Sequence, residues 1–140
     1  MKNLIWTLLA CGIIAVMAAG CATAPKGPSD EEMVMKRVQE CVAAMKAKDF
    51  TAFDKFVSNS FSAPAVGDKA SFLDMLKMAD SMGMADNVEV DLSQAKVVVE
   101  GAKCTVTPIT ASSGAGSITV KGYGAKENGV WMLTGGEQSY

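Results

Sequence analysis

Val88-Glu89-Val90-Asp91-Leu92 is where the apolar period of this chain changes from about 3.6 residues to two, and that switch decides the fold class. Apolar side chains alternate with acids, the pattern of a half-buried strand whose carboxylates face water. The two-residue period then persists. Val97-Val98-Val99 runs into a turn at Glu100-Gly101, and Ala102, Cys104 and Val106 alternate with Lys103, Thr105 and Thr107 as the returning arm of a hairpin. After a loop from Ser112 to Gly116, Ile118, Val120, Gly122 and Gly124 alternate with Thr119, Lys121 and Tyr123. Asn128-Gly129 is the favoured two-residue turn into Val130-Trp131-Met132-Leu133.

Upstream of the switch the period is helical. Ser29 followed by Asp30, Glu31 and Glu32 forms a capping box with acids in the first turn, where they complement the helix dipole. Val34, Val38, Cys41, Val42 and Met45 make one apolar stripe, with Lys36, Arg37, Glu40 and Lys46 off it. Lys48-Asp49 breaks that helix. Phe50, Phe53, Phe56 and Val57 predict a short second helix, capped by Asp49 or Thr51 and ending near Asn59-Ser60. Asp68 caps a third, whose buried side is expected to carry Phe72, Leu76 and Ala79 with Met75 and Met82, and Gly83 ends it. The sum is an α+β domain: three N-terminal helices packed on one face of a curved antiparallel sheet of about four strands.

The N-terminus has a separate role. Lys2, an apolar run from Leu4 to about Ala19, and small residues at its end have the three parts of a secretory signal. The run is shorter than the roughly 20 residues of a stable membrane span. Ala18-Ala19-Gly20-Cys21 matches a bacterial lipoprotein processing site except at Ala18, where Leu is commoner. Residues 1–20 are therefore expected to be a signal peptide and Cys21 the lipidated residue, anchoring the protein to a membrane through its acyl chains, each buried CH₂ contributing about 0.8 kcal/mol. Cleavage at a simple A-x-A site, giving a soluble exported protein, is the alternative. Ala22, in place of an Asp that would favour inner-membrane retention, points to the periplasmic face of the outer membrane if the host has two. Residues 21–29 are small and rich in Pro and Gly, a tether of at most about 25 Å, and residues 30–140 form a single domain.

Composition narrows the function. The chain has no histidine, so the commonest general base and metal ligand are both missing. One of its 13 basic residues is Lys2 of the leader, while all 15 acidic residues lie beyond it. The mature chain is therefore slightly acidic, without the basic patch that nucleic acid requires. No cofactor or metal is expected, since two mature-domain cysteines without histidine fall short of a zinc set.

The long first helix, the Ala47-Lys48-Asp49-Phe50 break into an aromatic helix, the third helix after Gly67-Asp68, and the closing Glu127-Asn128-Gly129-Val130-Trp131 resemble the nuclear transport factor 2-like superfamily, which includes ketosteroid isomerase-like and polyketide cyclase-like proteins. The resemblance implies a cone in which a bent sheet wraps the long helix around a cavity. Members use that cavity for isomerisation, dehydration, ligand binding or dimerisation, so the fold does not choose among them. The His-Asp and Tyr-Asp pairs of its enzymes have no match here. Asp74, Asp80, Glu89 and Asp91 fall on polar faces, and Tyr123 shares a strand face with Lys121.

The expected function is a non-catalytic envelope lipoprotein whose domain binds a small apolar ligand or a protein partner, with Met45, Phe72, Met75 and Trp131 as ligand-contact candidates. An isomerase- or dehydratase-like enzyme and a homodimerisation module are the alternatives. Cys41 and Cys104 either meet as a disulfide, stabilising by about 4 kcal/mol over so long a loop, or stay apart as two buried thiols.

Overall fold

The computed structural model describes residues 27–140. The expected signal peptide, Cys21 and most of the expected tether lie outside the described residues.

Helix α1 (Asp30–Lys46) starts at Ser29, whose hydroxyl accepts the Glu32 N–H at 3.2 Å. Helix α2 (Phe50–Asp54) starts at Asp49, which accepts from Ala52 N–H at 3.0 Å. Strands β1 (Ser62–Ala63) and β2 (Gly67–Asp68) form a small hairpin, and Asp68 then caps α3 (Lys69–Ser81) by accepting from Ser71 N–H at 2.9 Å. Five strands follow: β3 (Glu89–Asp91), β4 (Lys96–Glu100), β5 (Lys103–Ser113), β6 (Gly116–Glu127) and β7 (Val130–Gln138).

The sheet has five strands rather than about four. β5 is 11 residues long, and its outer edge takes two short neighbours: β4 on Lys103–Thr107 and β3 on Thr110–Ser112. Between them the β5–β6 register shifts from Val106 to Ile109, at a cis Thr107–Pro108 peptide whose proline has no N–H for the ladder. A second shift lies between Tyr123 and Gly124 against β7. Each adds a residue to one strand and bends it, and together they curve the sheet around α1. The loop expected from Ser112 to Gly116 shrinks to Gly114-Ala115, because Ser113 pairs with Gly116 and Ser112 Oγ donates to Ser117 Oγ at 3.1 Å.

The second helix is shorter than the aromatic spacing suggested. After Asp54 the chain turns, and Phe56-Val57-Ser58 runs parallel to β7: Leu133 N–H donates to Phe56 O and Ser58 N–H to Leu133 O, both at 2.8 Å. Those bonds cover the free β7 edge, which would otherwise present unpaired backbone groups. Val57 becomes fully buried, and Ser58 beside it donates to the Glu127 carboxylate at 2.7 Å.

The core has two centres. One gathers Ala44, Phe53, Val57, Phe61 and Ala63, with Phe72 stacked on Phe61 at 4.8 Å between ring centroids and edge-on to Phe53 at 5.8 Å. The other gathers Val34, Cys104, Val106 and Trp131 where α1 crosses the sheet. Phe72, Leu73 and Leu76 turn α3 toward the first centre. Met75 and Met82, expected on that buried side, are exposed instead, because this helix contacts the rest of the domain along one narrow stripe. No helix among the described residues is long and apolar enough to cross a membrane.

Candidate functional site

Between α1 and the concave side of the sheet lies an open cavity of about 370 Å³, near the lower end of the roughly 300–1,000 Å³ of small-molecule sites. The apolar stripe of α1 supplies Val38, Cys41 and Val42 to its wall. The sheet supplies Ile109, Ile118 and Val120, and Phe56, Phe61, Phe72 and Met75 close the far side. Such a surface offers water few hydrogen bonds, so the space favours an apolar occupant.

Part of the floor is glycine. Gly122 and Gly124 of β6 occupy inward positions, facing Val106 and Cys104 across the ladder. A Cβ at Gly124 would stand 2.7 Å from Cys104 Sγ, so that glycine leaves room for the sulfur to lie over the strand.

Arg37, which sequence periodicity left off the apolar stripe, closes one end of the cavity. Its Nε donates to Trp131 O at 3.1 Å and its Nη2 to Lys55 O at 3.3 Å, while the guanidinium lies 4.2 Å from the centre of the Phe56 ring. One planar cation thus ties α1 to the edge segment and to β7, a job that suits the fixed fork of Arg and not Lys. Its one local partner is Glu40 at 3.8 Å, an ordinary pairing along a helix face, while the carbonyls that fix its place are remote along the chain. At the rim, Tyr123 Oη donates to Glu137 at 2.6 Å and Lys121 lies 3.8 Å from the same carboxylate.

Among the described residues no Asp or Glu is buried; Ser58 is the buried polar side chain. Asp49 and Asp68 cap helices, Asp30 pairs with Lys126, Asp80 and Asp86 with Lys48, and Asp54 with Lys69. Nor do three His, Cys, Asp or Glu side chains among the described residues converge to hold a metal ion.

Of the residues singled out from the sequence, Phe72, Met75, Trp131, Cys41 and Cys104 all border the cavity. Met45 does not; it packs behind the wall against the Phe53 and Val57 core. Trp131 is 5% exposed, and its indole N–H has no hydrogen-bond partner among the described residues.

Cys41 and Cys104 are free thiols in this structure. Cys104 belongs to the centre around Val34, whereas Cys41 sits two turns further along α1 with the Phe53 centre. Burial pushes the Cys41 thiol up from 9.0 to about 12 against a smaller opposing pull from Arg37, and burial also raises Cys104 despite the Gly124 N–H. Both should therefore resist Ellman's reagent in the folded protein near pH 8 and react on denaturation. Rapid modification of either one, located by peptide mass mapping, would contradict this. The same shift sets a pH dependence. Below about 9 the thiol is protonated in both folded and unfolded states and contributes nothing. Between about 9 and 12 only the unfolded chain ionises at Cys41, so stability falls with rising pH by up to about 1.4 kcal/mol per unit. Cys41→Ala should flatten that alkaline limb.

With this geometry in view, the likeness to solved structures is informative. A cystatin-like protein of unknown function from Nostoc punctiforme superposes with a TM-score of 0.64 at 14% identity, over 81% of this chain and 93% of that one. The fold is the nuclear transport factor 2-like, cystatin-like cone. A nuclear transport factor 2-like protein of unknown function from Pseudomonas putida agrees equally well, with a TM-score of 0.64 at 15% identity over 81% and 89% of the two chains. Bd1075 from Bdellovibrio bacteriovorus matches at 0.66 and 19% identity, covering 76% of this chain; the chain spans only 38% of that larger protein. No family profile matches the cone's sequence, and no curated protein matches it either. At these identities the likeness carries the architecture alone.

Proposed function

We propose that this protein is an envelope lipoprotein, anchored through acyl chains on Cys21, whose cone binds a small apolar molecule without transforming it. The observation that carries the reading is the 370 Å³ cavity with its almost wholly hydrocarbon and thioether wall. The absence of any buried carboxylate among the described residues supports binding over isomerase or dehydratase chemistry, which needs an acid or base at the reacting carbon. Anchoring is supported by Lys2, the apolar run and Ala19-Gly20-Cys21.

The test is a fluorescence titration with N-phenylnaphthylamine, an apolar probe that brightens in a dry site. The wild-type chain should saturate at one probe per molecule. Val120→Phe, which projects a ring from the sheet into the cavity, should weaken binding tenfold or more, about 1.4 kcal/mol or above. Undiminished binding by a folded Val120→Phe chain would place the probe elsewhere and remove the cavity from the function.

A further inference from the structure

Four exposed methionines run from the middle of α3 to just past its C-terminal end. Met75, Met78, Met82 and Met84 are 41%, 63%, 65% and 47% exposed. Spacings of three and four residues put the first three on a single stripe of the helix, apart from the Phe72, Leu73 and Leu76 stripe that meets the core. The helix terminus brings in the fourth. Gly83 adopts φ +72°, its N–H donates to Asp80 O at 2.9 Å, and the Met84 N–H returns to Ala79 O at 2.8 Å. In this type of helix ending, the residue after the glycine commonly faces the last full turn, which here carries Ala79 and Met78. Met78 thus has Met75 three residues before it, Met82 four after it and Met84 just past the helix end.

We propose that these four methionines form a surface site for one soft monovalent cation of the copper(I) class, held by three or four thioether sulfurs. A thioether is a neutral, polarizable donor that binds hard cations such as calcium or magnesium poorly and suits copper(I). It has no proton to lose, so binding here is independent of pH over the range where a thiol site would release protons. Of the neighbouring acids, Asp80 and Asp86 are paired with Lys48, and the carboxylate of Asp74, one turn before Met78, is a hard donor that does not suit copper(I). Long unbranched side chains with three rotatable bonds let the sulfurs converge without moving the backbone. Met75 also borders the cavity, whereas Met78, Met82 and Met84 lie outside its lining.

Silver(I), a redox-inert soft cation, is the probe, added in chloride-free buffer to the full chain in detergent with the methionine methyl groups labelled with carbon-13. The methyl resonances of Met75, Met78, Met82 and Met84 should shift together, saturate at one silver per chain, and do so equally at acidic and neutral pH. Calcium should move none of them. Met78→Leu keeps the shape and removes the central sulfur; it should weaken silver binding at least as much as the roughly 10–100-fold lost when a metal site loses a supporting residue. Unmoved methyls at these four positions would reduce the stripe to an apolar contact surface for membrane or protein and overturn the proposal. Silver affinity unchanged in Met78→Leu, or binding that falls away at acidic pH, would assign the metal to a thiol instead and overturn it equally.

Discussion

Trp131→Ala should lower the unfolding free energy by about 3–5 kcal/mol, the range for deleting a buried aromatic, seen as a fall in the urea midpoint with an unchanged slope. The indole is 5% exposed and packs with Val34, Cys104 and Val106 where α1 crosses the sheet. Its loss leaves a void that neither the helix nor the paired strands can close. Lys126 also loses its ring partner, 5.8 Å from Nζ to the centroid. Domains of this kind are stable by about 5–15 kcal/mol, so the variant should be unfolded or close to it near physiological temperature. Trp131→Phe should cost only a fraction of that, because the indole N–H makes no bond to a described residue and its removal breaks none. If the two variants prove equally damaging, that N–H has a partner, and a molecule in the cavity becomes the first candidate.

Gly135→Ala should be the most damaging of the small substitutions, costing about 1–3 kcal/mol or somewhat more, as overpacking of a closed site does. Gly135 is buried in β7 opposite Tyr123, beside the second register shift. A Cβ there would stand 2.6 Å from the Ser62 carbonyl oxygen. Because that atom is backbone, no rotamer change relieves the clash; β1 has to move away from β7. Gly114→Ala is the matched control. It lies in the exposed β5–β6 turn, where an added Cβ would meet nothing within 4 Å and φ is not positive, and should leave the midpoint within error. Equal midpoints for Gly135→Ala and the parent would show that β1 is not held against β7 in solution.

The sequence by itself determined the local architecture. Ser29, Asp49 and Asp68 each cap a helix as their spacing to the next apolar stripe implied, since a cap depends only on atoms three residues away. Gly83 and Asn128-Gly129 likewise turn the chain with positive φ. The period change at Val88 correctly separated helices from strands, and the cone resemblance agrees with the solved structures.

Only the tertiary structure decided where those elements meet. Phe56 and Val57 satisfy a helical pattern, yet the unpaired edge of β7 draws them into strand pairing. Arg37 reads as a solvated charge until Lys55 O and Trp131 O are placed beside it. Cys41 and Cys104 share the cavity wall but belong to different centres of the core. Met82 satisfies the buried period and stands exposed because no described residue covers that side of α3. In every case the deciding partner is remote along the chain. Periodicity reports which side of an element prefers to be covered; whether anything covers it depends on how the bent sheet wraps α1.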